Sequence, residues 1–185
     1  YDQKIPQGRT LFGHQMKLVD ENDSEVPNDG KSQGRLLSRG YWVLKSYYND
    51  DSQDERFYEG GWFDTGDIAT IDGNGFMTVT DRNKDIIKSG GEWISSIDLE
   101  NICVGHPSVA NAAAIAVPDE KWDERPIIIV QLLPKKTATE NEILDFYKEK
   151  IANWMIPDKV IFVDNIPLGA TGKILKNKLR EMFVD

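Results

Sequence analysis

A single cysteine, Cys103, stands in this chain of 185 residues, so no disulfide can form within it. A reducing compartment is the default for such a chain, and the cytoplasm is the expected location. Histidine is nearly as scarce, with two residues. Cys103 and His106 have half of a metal-ligand spacing with no second pair to complete it, so no metal ligand is assigned. Cys103 falls on the apolar stripe of a predicted helix, where a buried structural thiol is expected. No apolar run approaches bilayer-spanning length, and no signal peptide opens the sequence as given. An excess of base is missing too. The formal net charge is −9, which argues against nucleic acid as a partner, because phosphate binding needs a basic stripe. Acids outnumber bases 14 to 8 in residues 1–80 but only 17 to 14 in residues 81–185. An anionic ligand would therefore look to the second half. The chain begins at Tyr1 rather than Met, and is read as a piece of something longer.

What is present is the balance of a globular protein, with 39% hydrophobic and 29% charged residues. The first eighty residues read as β. Gly34 to Lys45 is a strand-like run, and Ile68 to Ile71 and Phe76 to Val79 flank Asp72-Gly73-Asn74-Gly75, a hairpin turn signal. Turns are expected at Asp20 to Asp23 and Pro27 to Gly30, and an acidic loop over Asn49 to Glu59. After about residue 82 the pattern changes. Ser95 or Ser96 can cap a helix with Leu99, Ile102 and Cys103 on one face, closed by Gly105 and Pro107. Ala112 to Val117 and Ile127 to Leu133 are apolar runs bounded by prolines, as buried strands are. Thr139 and Glu142 form a capping box for a helix running through Ile143, Phe146, Tyr147 and Lys150. Val160 to Val163 is a further strand, and a last helix begins near Gly172 with Leu175, Leu179, Met182 and Phe183 on one face. The expected fold class is α+β: a fragment of a β-rich subdomain, then a small α+β domain with a short central sheet and flanking helices.

Three segments have the makings of chemistry. Pro167-Leu168-Gly169-Ala170-Thr171-Gly172-Lys173 is a mobile loop that would place Lys173 in the first turn of the last helix. There the lysine opposes the helix dipole unless an anion is bound. The loop is not a phosphate-binding Walker A sequence, since Pro167 takes the place of its first glycine and Ile174 that of its hydroxyl residue. Taken alone, it reads as a solvated lysine after a flexible loop. In Asp64-Thr65-Gly66-Asp67, the Asp67 carboxylate could accept hydrogen bonds from a vicinal diol such as ribose, although such segments are usually turns. The stretch Asp81 to Ile94 reads locally as a charged hairpin with a glycine turn at Gly90-Gly91.

In this order and spacing the segments resemble the motifs of the adenylate-forming (AMP-binding) enzyme superfamily, which includes acyl-CoA synthetases, firefly luciferase and peptide-synthetase adenylation domains. Gly34-Arg35-Leu36 through Gly40-Tyr41-Trp42 and Tyr47 is similar to the motif that precedes the other three. Gly61-Trp62-Phe63-Asp64-Thr65-Gly66-Asp67 and Asp81-Arg82 to Glu100 resemble the next two, and the loop ending in Gly172-Lys173 the last. The run Asp85 to Ser96 is most like medium- or long-chain fatty-acyl-CoA synthetases.

The resemblance implies a ligase that joins a carboxylate to AMP, releasing pyrophosphate, and passes the acyl group to coenzyme A. ATP, its Mg2+ (with ligands outside this stretch) and coenzyme A are the implied cofactors and co-substrates, with a fatty acid as the acid. Asp67 would bind the ribose, Arg82 the ribose or phosphate, and Lys173 would be the catalytic lysine of adenylation. Lys84 would be the hinge of a mobile domain, and Lys88, Gly90 and Gly91 would face coenzyme A in the second step. Residues 1–83 would close the large domain and 84–185 form the small one. The family's phosphate loop and acyl pocket would lie outside this stretch, so the piece is expected to be inactive alone. Leu168-Gly169-Ala170 departs from the basic version of the last loop. Trp62, Trp93 and Trp122 are read as packing between strands. The alternatives are adenylation for another acceptor, such as a carrier protein, or a non-catalytic interaction module of the same fold.

Overall fold

The computed structural model describes residues 6–49 and 55–184. The chain divides into two compact units, Tyr1–Lys84 and Asp85–Asp185. Ten strands in two sheets and three α-helices make up the described part, as an α+β reading requires.

The first unit is an antiparallel sheet of β1 (His14–Val19), β2 (Gly34–Gly40), β3 (Phe57–Tyr58), β4 (Trp62–Ile71) and β5 (Met77–Arg82). Strand β4 is central: β2 pairs along one edge, while β3 and β5 share the other. The predicted hairpin between β4 and β5 is there. Asp72 closes it, its Oδ1 accepting the backbone N–H groups of Asn74 and Phe76 at 2.9 Å each, as Asx turns do. Leu18, Leu36, Ala69 and Ile71 form the buried core. The strand expected to run to Lys45 stops at Gly40, and Tyr41 and Trp42 are 93% and 78% exposed. Gly40 has φ +152°, and a Cβ there would lie 2.4 Å from the Gly13 carbonyl oxygen, so the backbone leaves the sheet at a point only glycine can occupy. The expected acidic loop over 49–59 lies partly outside the described residues. Its far end is not loop: Phe57 and Tyr58 pair with Phe63 and Trp62, and the Phe57 and Phe63 rings lie 5.1 Å apart.

The second unit has β6 (Ile87–Ser89), β7 (Glu92–Ile94), α1 (Ser96–Val104), β8 (Val109–Asp119), β9 (Asp123–Leu132), α2 (Glu140–Asp145), β10 (Lys159–Phe162) and α3 (Lys176–Phe183). Strands β8 and β9 form a long hairpin, and β10 runs parallel to β9 on its other edge. Both faces of the hairpin are buried, which explains the unbroken apolar runs. On one face Ala112, Ala114, Ile128 and Val130 pack with Leu99 and Cys103 of α1 and with Ile143 and Tyr147. On the other, Ala113, Ile115, Ile127 and Ile129 pack with Ile166 and with Leu179 of α3.

Both predicted caps form. The Ser95 side chain accepts from the Asp98 N–H, and Thr139 and Glu142 complete the capping box. Several boundaries differ from expectation. Pro118 and Pro126 do not bound the strands but sit inside the pairing, opposite Glu124 and Ala116; a proline whose missing N–H would point away from its partner removes no ladder bond. Helix α2 stops at Asp145 rather than reaching Lys150, and its chain turns out through Glu149 at φ +67°. The last helix starts at Lys176, four residues later than expected, and Met182 lies 63% exposed, off its buried face.

Candidate functional site

Asp67 is presented by a bulge. Leu37 pairs with Asp64 and Arg35 with Ile68, so Thr65, Gly66 and Asp67 face Leu36 alone and arch out of the ladder. Local bonds hold the arch. Asp64 Oδ1 accepts the Gly66 N–H at 2.7 Å, Thr65 Oγ1 accepts the Asp67 N–H at 3.2 Å, and the Thr65 hydroxyl donates to the Leu36 carbonyl at 3.0 Å. Gly66 has φ +77°, a conformation that disfavours any side chain. Two arginines brace it from below. Arg56 donates from Nε and Nη2 to the Asp64 carbonyl at 3.0 and 2.8 Å. Arg35 donates to the Asp64 carboxylate at 3.0 Å and to Tyr58 Oη at 2.9 Å.

Arg82 stands opposite Asp67 on β5. Its Nε lies 3.7 Å from Asp67 Oδ1, near enough for charge attraction and too long for a hydrogen bond. The side chains are 60% and 30% exposed. A half-buried carboxylate and an exposed guanidinium thus lie side by side, one suited to hydroxyl donors and the other to anionic oxygen. The Asn83 N–H donates to the Gly66 carbonyl at 2.9 Å, tying the end of β5 back to the arch. Lys84 is the last residue of the first unit.

In the second unit Lys173 is exposed on a short hairpin-like loop, not on a helix. Leu168 and Ile174 bridge across the loop, the Gly169 N–H donates to the Lys173 carbonyl at 2.7 Å, and Gly172 turns at φ +78°. The expected first-turn position belongs to Lys176. The dipole argument therefore applies to Lys176 and not to Lys173.

The hairpin of β6 and β7 turns at Gly90 and Gly91, with Lys88 opposite Trp93. The Lys88 N–H donates to Glu124 Oε2 at 2.8 Å. The two glycines differ. At Gly90 a Cβ would lie 2.8 Å from the Trp122 ring, whereas at Gly91 no atom lies within 4 Å. The expectation that Trp122 packs between strands is not met; it caps Gly90 from the β8–β9 loop and is 44% exposed. Trp62 is instead flanked by cations, Lys17 at 4.9 Å and Arg39 at 4.5 Å.

Beside Gly90 lies a cavity of about 290 Å3, lined by Ser89, Gly90, Glu92, Trp122, Arg125 and Trp154. Neither Arg125 nor Trp154 lies in a motif legible along the chain. Arg125 donates to Ser89 Oγ at 3.1 Å, the Trp154 carbonyl at 2.7 Å, the Ile156 carbonyl at 3.1 Å and the Asp158 carboxylate at 2.6 Å. These partners are 29 to 36 residues away in sequence, beyond any local pattern. Among the described residues no group of three or more His, Cys, Asp or Glu is placed to hold a metal ion. Burial pushes the Cys103 thiol up to about 11, as suits a structural cysteine.

Comparison with known proteins gives these features a context. The sequence model described as "AMP-binding enzyme C-terminal domain" matches residues 98–173. A 3-methylmercaptopropionyl-CoA ligase from Ruegeria lacuscaerulensis is 54% identical over 97% of this chain and 33% of its own length. A medium-chain-fatty-acid–CoA ligase from Ectopseudomonas oleovorans is 49% identical over 97% of this chain and 32% of its own. The chain thus spans about a third of the length of the curated relatives it matches. Among solved structures, ATP-bound MatB from Rhodopseudomonas palustris superposes with a TM-score of 0.85 at 30% identity, covering 97% of this chain and 36% of that one. The o-succinylbenzoate-CoA synthetase of Bacillus subtilis, in complex with its acyl-adenylate intermediate, superposes with a TM-score of 0.83 at 33% identity, covering 95% and 35%. Residues 98–173 thus match the AMP-binding enzyme C-terminal domain, and nearly the whole chain is similar to one end-to-end stretch of acyl-CoA ligases.

Proposed function

We propose that this chain serves in an ATP-dependent, AMP-forming acid–thiol ligase acting on a medium-chain or related aliphatic acid. The observation that carries the reading is the pairing of Asp67 with Arg82 across β4 and β5, on an arch held by Gly66. Asp67 would accept the ribose hydroxyls, and Arg82 would meet the ribose or the α-phosphate. Lys173 would bridge the carboxylate and the α-phosphate as negative charge builds in adenylation. A preorganised donor of that kind is worth on the order of 10²–10³-fold in rate. Its exposed ammonium on a loop fixed by three backbone contacts suits the task.

Lys84 would be the pivot that exchanges one face of the small domain for another between the two half-reactions. In the thiol step Lys88, Gly90 and Gly91 would face coenzyme A. The cavity beside Gly90 has two indoles on its walls, which suits stacking of a flat ring such as the adenine of coenzyme A. ATP would bring Mg2+ with it, and the residues described here offer no cluster to hold the ion. The relatives named for methylmercaptopropionyl and medium-chain substrates support an aliphatic acid of medium chain or shorter. The cytoplasm is the compartment proposed, because coenzyme A and ATP are abundant there and the lone cysteine is buried and reduced. The piece by itself would be inactive.

The test uses the full-length protein, this chain together with the rest of its relatives' length. Carboxylate-dependent ATP–pyrophosphate exchange and thioester formation from supplied acyl-adenylate are assayed separately. Lys173→Ala should abolish exchange while thioester formation survives; both steps untouched would sink the assignment. Exchange without any thioester would point to a different acceptor.

A further inference from the structure

Lys176 and Glu100 join two layers of the second unit around the outer edge of β8. Lys176 Nζ lies 2.7 Å from Glu100 Oε1 and 2.6 Å from Ser96 Oγ, and the two charged side chains are only 12% and 16% exposed. The same Glu100 oxygen accepts the Ala114 N–H at 2.9 Å, on the strand whose other edge pairs with β9. Glu100 belongs to α1, packed on one face of the sheet, and Lys176 opens α3, packed on the other.

A lysine in the first turn of a helix is opposed by the helix dipole, and a charge this buried needs a partner. Glu100 supplies both, so the pair fixes where α3 begins. Only Ile174 and Leu175 separate Lys176 from Lys173. Ile174 bridges to Leu168, and the Leu175 N–H donates to the Pro167 carbonyl at 2.9 Å. One turn further along α3, Arg180 pairs with Asp85, the first residue of the unit, at 2.7 Å. The helix behind Lys173 is thereby held at two points by buried or half-buried ion pairs, while Lys173 itself stays exposed.

We infer that Lys176 is a positioning residue for Lys173: through Glu100 and Ser96 it sets the height and direction from which Lys173 reaches the reacting carboxylate. The inference rests on the reading of Lys173 as the adenylation lysine. Lys176 touches no substrate in this account. Its effect is on orientation, where a displacement of about 1 Å can reduce a rate about 100-fold.

The experiment compares Lys176→Met, Lys176→Arg, the double variant Lys176→Met with Glu100→Gln, and Lys173→Ala, all in the full-length protein. Exchange, thioester formation from supplied acyl-adenylate, and the thermal midpoint are measured for each. Lys176→Met should lower kcat for exchange by about 100-fold with KM for ATP and the thioester step unchanged, and Lys176→Arg should recover most of it. The double variant, with no stranded carboxylate, should regain the thermal midpoint without regaining exchange. Recovery of exchange in the double variant, or equal loss in both half-reactions, would overturn the inference. So would normal exchange in Lys176→Met when Lys173→Ala has none, and that outcome leaves the reading of Lys173 standing. Normal exchange in Lys173→Ala would overturn that reading and the inference together.

Discussion

Asp67 and Arg82 face each other across β4 and β5 with Oδ1 and Nε 3.7 Å apart. The separation leaves the carboxylate's acceptors to a ligand, since an ion pair without a hydrogen bond at this exposure contributes little. Asp67→Asn should therefore leave the thermal midpoint nearly unchanged in the full-length protein. It should raise KM for ATP in the exchange assay by about tenfold to a hundredfold, the worth of hydrogen bonds to a charged group. Gly66→Ala should act on the same parameter through the backbone, because it strains φ +77° and brings a Cβ within 3.1 Å of Arg56 Nη2. An unchanged KM in both variants would remove the ribose role from Asp67.

Gly90 and Gly91 separate two kinds of glycine. Both have positive φ, at +62° and +84°, so alanine at either should destabilise by about 1 kcal/mol. Only Gly90→Ala also drives a methyl into the Trp122 ring. It should raise KM for coenzyme A in the thioester assay, as should Trp154→Ala, with exchange unaffected in both. Gly91→Ala should melt lower without the change in KM, unless the backbone at Gly91 itself meets the ligand. Thermal melts and thioester kinetics on the three variants separate packing from contact.

Cys103 is buried against α2 and the β8–β9 hairpin, and burial carries its thiol from 9.0 to about 11. The thiolate is the reactive form. At pH 8 Cys103 should resist iodoacetamide in the native protein and react once urea unfolds it, which mass spectrometry would show. A thiol held protonated by folding contributes its stabilisation in full below pH 9.0, and loses it as pH rises from 9.0 through about 11. Urea midpoints should accordingly fall over that alkaline window, and a Cys103→Ala variant should lack that part of the fall. Rapid native alkylation at pH 8 would show that the helix opens readily.

Much of the fold was legible because local rules agreed with the tertiary arrangement. Asp72-Gly73-Asn74-Gly75 makes its turn from its own side chain and backbone, and Ser95 and Thr139 cap helices through bonds spanning three residues. The apolar runs of β8 and β9 announced a strand buried on both faces. Misreadings fell where a distant contact decides. Gly40 ends β2 because of Gly13, and Trp122 leaves the sheet to cover Gly90. Lys176 rather than Lys173 begins α3, where Glu100 offsets the dipole.

Residue identity and spacing alone carried the resemblance to adenylate-forming enzymes, since four motifs in order need no fold to be seen. The α+β class was equally local, because it follows from hydrophobic period and capping chemistry within each element. Which side chains meet was settled by the folded arrangement. The bulge that aims Asp67 depends on strand β2, about thirty residues away in sequence. The Arg125 network and the clasp of Lys176 on Glu100 close over separations of 29 residues and more. Such pairings are set by how sheets and helices bury their apolar faces, and no window along the chain contains both partners.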